Sequence, residues 1–121
     1  MTIAIDFDGT ICEQSFPKVG ALRKDADVYI RKLKEDGHTI IINTCRSGKY
    51  EGMAQDFLED KKIPYHYINS NLPELIEFYN QDCRKISADL YIDDKCLMGL
   101  PKTWKKIYKL VKAKAKLHGK M

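Results

Sequence analysis

Two short apolar runs constrain this chain more than any other feature. Ile3-Ala4-Ile5 leads into Asp6-Phe7-Asp8-Gly9-Thr10, and Ile40-Ile41-Ile42 leads into Asn43-Thr44. Unbroken apolar runs of this length, bounded by turn residues, read as buried strands. Between them Leu22, Ala26, Tyr29, Ile30 and Leu33 recur at helical spacing, and Gly37 fits the position just past a helix end. The alternation continues along the chain. Residues 2–7, 38–43, 65–68 and 88–92 are expected strands, and residues 21–36, 50–61 and 72–80 are expected helices, with Pro73 tolerable in a first turn. The second helix is expected to turn Met53, Phe57 and Leu58 inward. After Gly99 and Pro101, one face of a last helix carries Trp104, Ile107, Tyr108, Val111 and Ala115. Strands alternating with helices predict an α/β fold, a Rossmann-like three-layer sandwich with a mostly parallel central sheet. With 121 residues, no repeat and no linker, a single domain over 1–121 is expected.

Sheets of this kind bind ligands at the carboxyl ends of their strands. The polar residues of interest gather at those ends. Asp6 and Asp8 close the first strand, Thr44 and Arg46 follow the second, and Asp93 and Asp94 follow the fourth. One residue separates Asp6 from Asp8, so they share a face if the strand persists and part if the turn begins early. Two carboxylates leaving a buried strand together need a cation, and a cation between carboxylates points to phosphate chemistry. Arg46 and Lys49, past the second strand, either meet a substrate phosphate or lie in a solvated loop, and Lys18 is a weaker candidate of the same kind. Cys12, Cys45 and Cys96 each fall within a few residues of one of these strand ends. Their proximity would allow a soft-metal site or a redox switch. With Cys83 they form no Cys-x-x-Cys pair, so the simpler expectation is free thiols in a reducing compartment.

On these motifs the chain resembles the haloacid dehalogenase (HAD) superfamily of phosphohydrolases. The motifs are Asp6-Phe7-Asp8-Gly9-Thr10, Thr44 at the end of its strand, a basic residue best matched by Lys85 with Arg84 adjacent, and Asp93-Asp94 after Leu90-Tyr91-Ile92. The resemblance implies a phosphomonoester hydrolase in which Asp6 attacks phosphorus and forms an aspartyl-phosphate. Asp8 would protonate the leaving oxygen and then take a proton from the hydrolytic water. Thr44 and Lys85 would hold the phosphoryl oxygens. Mg²⁺ would sit on the Asp6 carboxylate, the Asp8 backbone carbonyl and Asp94, with Asp93 beside it or acting through water. The segments after the first and second motifs are too short for a cap domain, so the resemblance is to a small capless member. In that family an open mouth tends to accompany macromolecular substrates or closure by another subunit. The substrate is therefore a phosphorylated small molecule or macromolecule, nucleic-acid ends included. The competing reading is a HAD-fold binding or regulatory module without turnover.

Charge divides the chain. Residues 101–121 hold eight lysines, Lys120 among them, and no acid; the first hundred residues carry 13 basic against 17 acidic side chains. The basic helix is expected to pack by its apolar stripe and expose its lysines, which would allow a weak contact with nucleic acid or another polyanion. No apolar stretch has membrane-spanning length, so no membrane partner is expected. A cytoplasmic location is expected, and an oligomer that lends a neighbour's loop as a lid is compatible with the chain.

Overall fold

The computed structural model describes residues 1–119; Lys120 and Met121, which the expected basic tail included, lie outside the described residues. Four strands form one parallel sheet: β1 (Thr2–Ile5), β2 (Thr39–Ile42), β3 (Tyr67–Ile68) and β4 (Leu90–Ile92). Their order across the sheet is β3-β2-β1-β4. Four helices accompany them: α1 (Ala26–Glu35), α2 (Gly48–Asp60), α3 (Pro73–Tyr79) and α4 (Trp104–His118). The α/β class and the parallel sheet expected from the alternation are present.

β1 and β2 are apolar because both faces of the sheet are covered. Ile3, Ile5, Ile40, Ile42 and Ile92 pack on the side of α1, α2 and α4, against Ile30, Leu33, Leu58, Trp104 and Val111. Ala4 and Ile41 face the opposite way and pack with Ile86, Leu72 and Tyr67. This second layer is thin, since α3 buries none of its residues. The layout follows from the topology. The steps β1-α1-β2 and β2-α2-β3 run in one direction along the sheet, and the chain then returns past two strands to β4. The sheet therefore reverses its winding at the β1–β4 pair, where ligand crevices form in open α/β sheets.

Three expectations are corrected. The first helix begins at Ala26 rather than residue 21. Residues 21–23 pair instead with the segment after β1, through Glu13 N–H to Ala21 O at 2.8 Å and Arg23 N–H to Ile11 O at 2.9 Å, and Asp25 at φ 64° breaks any upstream helix. Met53 faces outward, and Ala54 takes the inward place beside Leu58. β3 shrinks to two residues because the His66 ring intrudes on the ladder, its Nδ1 accepting from the Ile40 N–H at 3.0 Å.

The last helix follows its sequence pattern. Trp104, Ile107 and Val111 are buried, and the described lysines of residues 101–119 are exposed. Thr103 caps the helix by accepting from the Lys106 N–H at 3.1 Å. Among the described residues no helix is long and apolar enough to cross a membrane.

Candidate functional site: a carboxylate cluster beside a buried ion pair

β1 ends at Ile5, and the chain turns at once. The Phe7 carbonyl accepts from the N–H groups of Thr10 at 3.2 Å and Ile11 at 2.9 Å. Because the turn begins so early, Asp6 and Asp8 part company. Asp6 joins Asp93 and Asp94 from the end of β4, with one carboxylate oxygen of each lying within 4.8 Å of the others. Parallel pairing of β1 with β4 produces this meeting, since Ile5 stands opposite Ile92 and the Asp6 N–H donates to the Ile92 carbonyl at 2.8 Å. Asp93 thus belongs to the cluster directly.

Thr10 ties the cluster together. Its hydroxyl donates to Asp6 Oδ2 at 3.1 Å and accepts from the Asp94 N–H at 3.1 Å. Its carbonyl, on the core side, accepts from Trp104 Nε1 at 3.0 Å. Thr10 is completely buried, so the final helix and the acids share one fixed point. Gly9 allows the close approach. It sits at φ 86°, and a Cβ there would overlap the Asp94 carboxylate.

The cluster is electrostatically unbalanced. Burial, then a hydrogen bond to the Asp94 carboxyl and the Asp93 charge, push Asp6 up from 3.8 to about 7. Three hard oxygen donors, with no protein cation bonded to them among the described residues, suit Mg²⁺ or another small divalent ion.

Asp8 is surrounded differently. Its two oxygens accept from Arg46 Nε at 2.7 Å and Nη2 at 2.8 Å, a bidentate pair. The Arg46 side chain is 1% exposed. Its remaining donors reach the carbonyls of Pro17 at 3.1 Å, Lys18 at 2.8 Å and Tyr50 at 3.4 Å. The hydrogen bond to Asp8 raises the Arg46 pKa, so the guanidinium stays charged despite its burial. Arg46, expected either in a solvated loop or on a substrate phosphate, is instead an internal clamp between the loops after β1 and β2. Lys18 and Lys49 remain exposed on those loops.

Thr44 is tied to the Arg46 side of the site. Its Oγ1 accepts from the Arg46 N–H at 3.1 Å, which leaves the hydroxyl hydrogen free to donate. Its own N–H is held by Asn69 Oδ1 at 2.8 Å. Asn69, at φ 53° after β3, also donates to the Arg46 carbonyl at 3.1 Å and to Glu51 at 3.0 Å. It positions the whole β2–α2 loop and was not singled out in the sequence. The available signal was a polar Asn-Ser-Asn stretch after a strand, with Asn the side chain that best tolerates left-handed backbone.

Lys85 is set elsewhere. Its ammonium lies 5.5 Å from the centre of the Tyr91 ring, and it lines a cavity with Asn71, Leu75 and Tyr79. Among the described residues no hydrogen bond or ion pair joins Lys85 to Asp6, Asp93 or Asp94; Arg84, beside it, is exposed. Of the cysteines, Cys12 is buried and its thiol is pushed up to about 11 by burial and the neighbouring Asp8, while Cys45 and Cys96 are exposed. Among the described residues, the group that could hold a cation consists of Asp6, Asp93 and Asp94, without a cysteine.

No protein-family model and no curated protein matches the chain. Among solved structures it is similar to a conserved protein from Bacteroides thetaiotaomicron, with 33% identity over 94% of this chain and 91% of that one and a TM-score of 0.85.

Proposed function

We propose that this chain, which belongs to the same family as the conserved Bacteroides thetaiotaomicron protein, is a Mg²⁺-dependent phosphomonoester hydrolase of the HAD type. The observation that carries the reading is the meeting of Asp6, Asp93 and Asp94 at the β1–β4 switch point, with Asp6 pushed up to about 7 by burial and its two acidic neighbours. Asp6, Asp93 and Asp94 would hold the ion. When bound, it would offset the repulsion between an anionic nucleophile and an anionic substrate.

Thr10 holds Asp6 Oδ2 and leaves Oδ1 to attack phosphorus in line. The new Asp6–phosphorus bond forms as the bond to the leaving oxygen breaks; Asp8, an anion at rest beside Arg46, first takes a proton from solvent and passes it to that oxygen. Water then gives a proton back to Asp8 and attacks phosphorus, releasing inorganic phosphate and restoring Asp6. Each Asp8 oxygen has a second lone pair beyond the one facing Arg46, so proton exchange does not require the clamp to open. The Thr44 hydroxyl supplies a donor to a phosphoryl oxygen. Lys85, resting on Tyr91, carries no step in this arrangement.

The test is hydrolysis of para-nitrophenyl phosphate with and without Mg²⁺, in the native protein and in Asp6→Asn. The expected outcome is turnover that requires Mg²⁺ and falls about 10⁴-fold or more in the variant. Saturable Mg²⁺ binding without turnover over a broad set of phosphomonoesters would overturn the enzyme reading in favour of a binding module.

A further inference from the structure

Phe16 is 55% exposed on the loop between β1 and α1, yet it is held firmly. Its ring centre lies 5.3 Å from that of Tyr50, tilted by 53°. The Arg46 guanidinium carbon lies 5.0 Å from the same ring centre. Arg46 also fixes the backbone on both sides of the pair, through the Pro17 and Lys18 carbonyls of one loop and the Tyr50 carbonyl of the other. A buried, fully bonded arginine is a costly support for an aromatic ring that stays more than half exposed. The location explains the expense. The guanidinium that touches Phe16 is the one that grips Asp8 at 2.7 and 2.8 Å. On the phosphatase reading Asp8 serves the leaving oxygen, so Phe16 and Tyr50 stand on the leaving side of the substrate. Lys49, with its ammonium 5.2 Å from the Tyr50 ring centre, adds a cation to that rim.

We infer that Phe16 and Tyr50, fixed from behind by Arg46, form a leaving-group subsite that stacks a planar ring. The substrate class is a phosphomonoester whose alcohol portion carries a nucleobase or an aryl group. This inference rests on the phosphatase reading for the direction of the substrate. Arg46 and Tyr50 already contact the Phe16 ring without a ligand, which lowers the ordering cost of binding. Stacking is insensitive to ring identity, because every such ring offers a π-face.

The decisive comparison keeps the leaving alkoxide constant. Adenosine 5′-monophosphate and ribose 5-phosphate are titrated calorimetrically, in Mg²⁺, into Asp6→Asn protein that cannot turn them over. The nucleotide is expected to bind at least about fivefold more tightly. Adding Phe16→Ala should bring the ratio close to one and leave ribose 5-phosphate affinity unchanged; Phe16→Tyr, which keeps the ring, should preserve the preference. Equal affinities, a preference that survives Phe16→Ala, or undetectable binding of both compounds would overturn the inference. Benzyl phosphate against cyclohexylmethyl phosphate then separates the sources: a preference in both pairs assigns any planar ring, and one confined to the nucleotide pair assigns a nucleobase. Failure of the two readings looks different. A ratio near one with Mg²⁺-dependent turnover intact in the native protein removes the subsite alone. A retained ratio without turnover removes the phosphatase reading and, with it, the leaving-group role, and leaves Phe16 and Tyr50 as a ring-stacking surface only.

Discussion

Asp6 and Asp8 leave the same strand two residues apart, and their surroundings are opposite. Asp8 faces a buried guanidinium that satisfies both its oxygens. Asp6 faces two more carboxylates and is pushed up to about 7. One side of the site pairs its carboxylate with a guanidinium within the chain, and the other gathers three carboxylates together. Both conditions come from a single turn after Ile5, which sends the first carboxylate toward β4 and the second toward the β2–α2 loop. A cluster of like charges is tolerable beside a closed ion pair because the pair, together with Thr10, holds the backbone that the acids share.

The most direct way to break this contrast is to remove the guanidinium. Arg46→Ala leaves Asp8 without its partner and frees three loop carbonyls, so urea unfolding should show a loss of about 3 kcal/mol. Arg46→Lys should recover little of it, since an ammonium cannot span both Asp8 oxygens and the Pro17 and Lys18 carbonyls at once. A lysine variant as stable as the native protein would mean that charge alone matters and that the fork geometry does not.

The second prediction concerns the open side. Asp6 is raised above its unfolded value, so the metal-free fold binds a proton more tightly than the unfolded chain does. Its contribution to stability is full below the ordinary carboxyl value of 3.8 and is lost as pH rises through about 7. In chelator, Tm should therefore fall between about pH 5 and about pH 8, and Mg²⁺ should raise Tm more at the higher pH. Thermal scans at the two pH values with and without Mg²⁺ check this. An equal Mg²⁺ effect at both would place the ion away from Asp6.

How far the sequence foretold this contrast depends on where each part draws its bonds. β1 and β2 were legible because Ile3 to Ile5 and Ile40 to Ile42 are buried on both faces, which leaves an unbroken apolar run. The last helix was legible because Trp104, Ile107 and Val111 fall on one stripe. The gathering of Asp6, Asp93 and Asp94 followed from parallel strands whose ends lie side by side. The parts that were not legible depend on contacts distant in sequence. Leu22 suits a helix face, yet it bridges to Cys12. Arg46 reads as either a substrate-phosphate contact or a solvated loop residue because arginine is rarely buried, and its clamp needs Asp8, Pro17, Lys18 and Tyr50 to arrive together. Asn69 was one polar residue among three. The resemblance to the HAD superfamily implies a cation at Lys85, whose ammonium lies 5.5 Å from the centre of the Tyr91 ring on the edge strand.

The smallest expected effect is the sharpest test, because it requires opposite signs from two conservative changes. Asp93→Asn removes a like charge from the cluster. In chelator at about pH 8 it should stabilise the protein slightly, by about 0.5 kcal/mol given the partial exposure of the acids. Asp8→Asn removes the anion that Arg46 needs and should destabilise the protein under the same conditions. Adding Mg²⁺ should reverse the first result, because a lost ligand then outweighs a lost repulsion, and should leave the second unchanged in sign. Paired urea titrations of the two variants give all four values. If both destabilise in chelator, the three carboxylates are already neutralised within the fold, and the proposal that they take an external cation fails.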